Sequence, residues 1–149
     1  RPRARRRCLH RPRPPAVTKR EESRVDHPSV NEIAVAWCQK WDAERPVVSN
    51  SPFDLEGRLA QESPLLALAV IVRILELIPA DPGSRHFQVL AAGPLEELLV
   101  LHGDQLQQSV LDLARQSPAF RLLLGGVWYR SVPSGLVESL QRLGVTTSW

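Results

Sequence analysis

Methionine is absent from the 149 residues. Arg1 is therefore not expected to be a natural start, and the chain reads as a fragment, a processed form or a translation begun upstream. Cysteine is nearly absent: Cys8 and Cys38 are the only two. Two distant thiols build neither a disulfide framework nor a CxxC metal clip, and a reducing, cytoplasmic setting is the simpler expectation. Long apolar runs are also missing. The most apolar stretch passes only Leu65 to Val72 before Arg73 interrupts it. A bilayer-spanning helix needs about 20 apolar residues, so a membrane span is excluded and a buried helix is expected instead. No apolar run follows the Arg-rich start, so an export signal is not expected either.

Aromatic residues make up 5% of the chain, and no Phe, Tyr or Trp occurs through position 28. Base stacking on such rings is thus unavailable to the N-terminal segment. Strand-like alternation of apolar and polar residues is not evident anywhere. GxSxG, a Walker loop and GxGxxG are all missing, and the histidines have no ligand partner at metal spacing. No catalytic, cofactor-binding or metal-binding residue is expected on these grounds.

What is present divides the chain in two. Residues 1–24 carry ten Lys/Arg against two Glu, a local net charge of +8. Residues 25–149 carry nine Lys/Arg against fourteen Asp/Glu, a local net charge of −5. Residues 1–28 are therefore expected to be a disordered Arg/Pro-rich tail, which is not necessarily native, and 29–149 a single helical domain. The sharper reading of the tail is a nucleic-acid arm; the plainer ones are a solvated tail or translated upstream sequence. An acidic body argues against nucleic acid or an anionic membrane as its main partner.

The body is helical punctuation. Ser29 opens a capping box with Glu32, and Val30, Ile33, Ala34, Trp37 and Trp41 form one apolar stripe to about Ala43. Residues 45–62 read as a loop with a short helical turn. Ser63-Pro64 starts a central helix that ends at Ile78, and residues 84–92 predict another short one. Ser117-Pro118 starts a run through Phe120, Leu123, Leu124, Val127 and Trp128, weakened by Gly125-Gly126 unless a close crossing uses them. Pro133 or Ser134 opens a last helix that Gly144 ends. The fold class is all-α, an irregular bundle or short HEAT-like stack of about six or seven short helices.

The stretch AAGPLEELLVLHG, residues 91–103, carries the densest polar chemistry. It reads as one helix punctuated at both ends. Gly93 ends the preceding helix, Pro94 begins the next, Glu96 and Glu97 sit in its first turn, and His102 in its last. Gly103 then serves as the left-handed cap and Asp104 caps the following helix. The alternative is a small acid/base or metal site on Glu96, Glu97 and His102. Glu97 and His102 are five apart, off the spacing that faces two side chains on one helix, so the structural reading is the stronger. Trp37, Trp41 and Trp128 fall at inner-face spacing, so a core role is expected ahead of a binding hot spot, and Trp149 is expected to fray.

The chain resembles a bacterial family of unknown function. The residues that carry the resemblance are Ala91–Glu96 (AAGPLE), His102-Gly103, Ser117-Pro118-Ala119-Phe120-Arg121 and Val127-Trp128. It extends over roughly Ser29 to Gly144, and the connection at 79–90 departs from it by being short and less acidic. The resemblance implies a small bacterial cytoplasmic helical protein and brings no established activity, cofactor or partner.

The function expected is a non-catalytic protein–protein interaction module, one form being an immunity- or antitoxin-like protein that masks a basic partner. Its candidate partner-binding residues are Glu96, Glu97, His102, Arg121 and Trp128. The partner is expected to be another protein, with nucleic acid reached only through residues 1–24 and no membrane. The alternatives are a nucleic-acid accessory protein using that arm, and a small enzyme centred on Glu96, Glu97 and His102.

Overall fold

Among the described residues seven α-helices form: α1 (Val30–Asp42), α2 (Arg58–Glu62), α3 (Pro64–Leu77), α4 (Arg85–Leu90), α5 (Glu96–Gln116), α6 (Pro118–Leu124) and α7 (Ser134–Arg142). The computed structural model describes residues 27–47, 49, 51–147 and 149. No strand occurs among these residues, so the fold is all-α as expected. The basic segment 1–24, and with it the nucleic-acid arm, lies outside the described residues.

Several helix ends follow from single residues. Ser29 accepts the Glu32 N–H at 3.1 Å, and Ser117 accepts the Phe120 N–H at 3.1 Å with Pro118 in the first turn. Each such cap stabilises its helix by about 1 kcal/mol. Gly144 terminates α7 with φ +79°, a conformation that glycine adopts without a Cβ clash.

Packing outweighs these caps. A fully buried Leu, Ile or Phe side chain contributes roughly 1.5–3 kcal/mol of transfer free energy. The centre is α3, whose Ala67, Leu68, Val70, Ile71 and Ile74 are all buried. It packs on α1 through Ile33, Ala34 and Trp37, and on α5 on another side. Helix α5 in turn carries α6 and α7, giving an irregular bundle. Phe87 and Phe120 fill the interior between α4, α6 and the rest, and no polar residue is buried among the described residues.

Three local expectations are corrected. First, Gly93 does not end a helix. Ala91–Leu95 is a π-helical turn that joins α4 to α5 without a break, with Pro94 inside it. The wider turn absorbs a proline that lacks an N–H, so there is no free helix start at Glu96 for the dipole to act on. Second, α5 bends without ending, and its helical path continues through Gly103 and Asp104. Gly103 is helical and buried, because a Cβ there would lie 3.0 Å from Pro133 Cδ and 3.2 Å from Leu136 Cδ2. The glycine thus serves a close approach of the α7 start, and the irregularity falls one residue earlier, at His102 (φ −132°, ψ 15°). Third, α6 stops at Leu124, and Gly125-Gly126 lie in a turn rather than in a helix. Trp149, expected to fray, docks there instead. Its indole N–H donates to the Leu122 carbonyl at 3.1 Å and its ring lies 5.4 Å from that of Phe87.

Candidate partner-binding face

The segment between the π turn and the bend at His102 holds three of the five residues singled out in the sequence. Glu96 turns towards the loop after α6. Its carboxylate accepts the backbone N–H of Trp128 at 3.2 Å. The next residue, Tyr129, is anchored through its hydroxyl, which donates to the Leu124 carbonyl. Burial pushes this phenol well above its ordinary range. With the backbone pinned on both sides, the Trp128 side chain stands 76% exposed. The expectation of a core role for Trp128 is thereby corrected: the apolar repeat of α6 breaks at Gly125-Gly126 before reaching it.

Glu97 and His102 do meet, through Gln61 of α2. The Gln61 side-chain amide donates to Glu97 Oε1 at 3.2 Å. The His102 Nε2 lies 3.2 Å from the Gln61 backbone carbonyl. A carbonyl can only accept, so Nε2 carries the proton. Gln61 lies next to the end of α2, where carbonyls have no partner within the helix, and the imidazole satisfies one of them. These three residues, with Val100 and the 51%-exposed Leu101, line an open depression of about 510 Å³.

Arg121 stands apart. Its Nε donates to the Ala114 carbonyl at 3.0 Å, near the far end of α5. Ala114 lies in the last turn of α5, on the far side of the bend at His102 from Glu96. The five residues therefore divide into two neighbouring contacts at the start of α5, Glu96 with Trp128 and Glu97 with His102 at Gln61, and one distant helix tie, Arg121. Among the described residues, no three of His, Cys, Asp or Glu gather at metal-ligand distances.

The model of a Family of unknown function (DUF6869) matches residues 55–144. The chain belongs to this family. Among curated proteins and among solved structures, nothing matches it. The DUF6869 match contains the whole face just described and stops at Gly144. It begins at Leu55, so α1 lies before it.

The joint between α1 and the DUF6869 region is a second polar cluster, one that sequence reasoning missed. The Glu56 carboxylate accepts the indole N–H of Trp37 at 3.2 Å, the indole N–H of Trp41, and Lys40 Nζ at 2.8 Å. Lys40 also lies 3.6 Å from Asp54. The Asp54 carboxylate in turn accepts the backbone N–H groups of Ser49 and Glu56. Arg85 covers the Trp41 ring at 5.4 Å. His86 reaches Asp42 at 2.9 Å, and its Nε2 lies 3.3 Å from the Cys38 carbonyl. Burial, aided by Asp42, raises the Cys38 thiol above its usual range, which makes it a poor nucleophile. Glu56 thus accepts from three donors, two on Oε1 and one on Oε2, and the cluster binds helix to loop. An apolar groove of about 530 Å³ runs beside it between α1 and residues 43–55, with Trp37, Phe53 and Leu55 in its wall.

The signal available in the sequence is the pair Trp37 and Trp41, one turn apart, each of whose indole N–H groups needs an acceptor once its ring is packed. Which carboxylate supplies it depends on how residues 43–57 fold back, a long-range matter that spacing does not reveal.

Proposed function

We propose that this DUF6869 protein is a non-catalytic protein–protein interaction module that presents Trp128 and the first turns of α5 to another protein. The observation that carries the reading is the exposed Trp128 indole on a backbone already fixed by Glu96 and Tyr129. An apolar group of this size in water costs free energy unless something covers it. A pre-ordered one loses little further entropy when covered. Tryptophan is among the residues most enriched at the energetic centres of interfaces.

Glu96, Glu97 and Asp104 make this stretch of α5 acidic, in line with the net charge of −5 over residues 25–149. A basic partner fits this charge, and the form favoured is a protein that masks such a partner, as an immunity or antitoxin protein does. The free Cys38 thiol suits a reducing, cytoplasmic setting. Arg121, committed to the Ala114 carbonyl, is left outside the face.

The test is affinity capture from cells of the source organism, followed by binding of the purified partner to wild type and Trp128→Ala. The expected result is a captured protein whose Kd weakens at least tenfold in the variant, about 1.4 kcal/mol or more, with the melting temperature unchanged. A partner indifferent to Trp128→Ala, or no partner together with measurable turnover, contradicts the proposal.

A further inference from the structure

We infer that the depression between Gln61, Glu97, Val100, Leu101 and His102 is a notch for one arginine side chain of the partner protein. The inference deepens the interaction reading above and rests on it. It follows from an inventory of the polar atoms that the depression leaves free.

Gln61 gives one of its two amide N–H bonds to Glu97 Oε1, since a carboxylate can only accept. Its amide oxygen is therefore left as an acceptor. Glu97 keeps its second carboxylate oxygen, an acceptor bearing charge. His102 has its proton on Nε2, facing the Gln61 carbonyl, so in the neutral ring Nδ1 is an acceptor as well. Among the described residues, the side chains of Gln61, Glu97 and His102 make no hydrogen bonds beyond these two. The polar atoms left over are thus three acceptors, one of them charged, against the single remaining N–H of the Gln61 amide.

The charge of Glu97 disfavours anions, and the surplus of acceptors fits a cationic group with several N–H bonds. Val100 and Leu101 supply the apolar wall along which a long aliphatic stem lies. Acceptors on three separate residues match a guanidinium, whose five N–H bonds fan out in a plane, better than the compact ammonium of lysine. The guanidinium is also the more weakly hydrated of the two, so it loses less on leaving water. The acidic balance of residues 25–149 would draw a basic partner to this surface.

The full chain, labelled with ¹⁵N, is titrated with N-acetyl-arginine amide. The Gln61 side-chain amide and the Leu101 backbone amide are the reporters. Saturable shifts confined to the notch are expected, at least threefold weaker for N-acetyl-lysine amide and absent for N-acetyl-citrulline amide, the neutral isostere. Glu97→Gln is expected to weaken binding at least tenfold. Leu101→Lys, a substitution at a half-exposed site that leaves the core alone, is expected to give the same loss by placing an ammonium at the mouth. Equal shifts with citrulline, equal binding of lysine, or arginine binding that survives Glu97→Gln overturns the inference. So does a flat titration, whether the notch is idle or taken by an arginine of residues 1–24. These readouts do not involve Trp128 or the natural partner, so the notch and the interaction reading fail separately.

Discussion

Gly126→Ala is the sharpest test of how the end of the described chain is held. An alanine Cβ at this position would fall 2.3 Å from Trp149 Cη2, 2.5 Å from Cζ2 and 2.8 Å from Cζ3. Three ring atoms inside 3.0 Å leave no small adjustment, so the indole must leave. Its departure removes the hydrogen bond to the Leu122 carbonyl, a net contribution of about 1 kcal/mol. It also removes the contact with the Phe87 ring, worth about 0.5–1.5 kcal/mol beyond area burial. Against this stand the freedom regained by the last residues and the lower entropy of an unfolded chain with one glycine fewer, about 0.4–1 kcal/mol. The net expectation is a loss of about 1–2 kcal/mol. The assay is urea unfolding followed by far-ultraviolet circular dichroism, applied to Gly126→Ala, Trp149→Ala and the double variant. If the glycine exists for the indole, the alanine is neutral or slightly stabilising once Trp149 is gone, and the cycle returns a coupling of about 1–2 kcal/mol. The same cost for Gly126→Ala in both backgrounds would refute the reasoning.

Glu56→Ala should cost about 2–4 kcal/mol, because it strands the N–H of the 3%-exposed Trp37 and removes the main partner of Lys40. Glu56→Gln, which keeps one oxygen acceptor, should cost less; chemical denaturation separates them, and an alanine variant within 0.5 kcal/mol of wild type goes against the proposed joint. Tyr129 is the only tyrosine, so absorbance near 295 nm reports it alone. Burial raises its folded pKa above the ordinary value near 10, so the folded form holds its proton where the unfolded form has lost it. The stability it contributes is therefore complete below about pH 10 and falls as pH rises further. Tyrosinate should appear only as the fold opens; titration of the native protein at the ordinary value contradicts the burial of this phenol.

Much of the architecture was legible because the decisive signals are local. Ser29 with Glu32, Ser117 with Pro118, and Gly144 act within three or four residues of themselves, and each behaves as its sequence context predicts. The stretch 91–103 was misread where a local signal has two meanings. A glycine marks a helix end or a close packing site, and only the position of Pro133 and Leu136 decides that Gly103 is the second. Gly93-Pro94 likewise signals a break, yet a π turn accommodates it inside a continuous helical path. The site was half legible for the same reason. Glu96 and Trp128 were picked out separately, 32 positions apart, but their hydrogen bond depends on the turn that Gly125-Gly126 makes. On an ideal helix Glu97 and His102, five positions apart, do not face each other. The bend at His102 and the bridging Gln61 bring them to one depression. Glu56 escaped notice altogether, since its donors lie 15 to 19 residues before it and no motif links them.

The most direct measurement of the central claim is amide hydrogen exchange of the protein alone and saturated with its captured partner. Slowed exchange at Glu97–His102 and Trp128–Arg130, with residues 30–55 unchanged, is the predicted footprint. Protection confined to α1 and the groove beside Phe53, with the Trp128 loop exchanging as in the free protein, would contradict it.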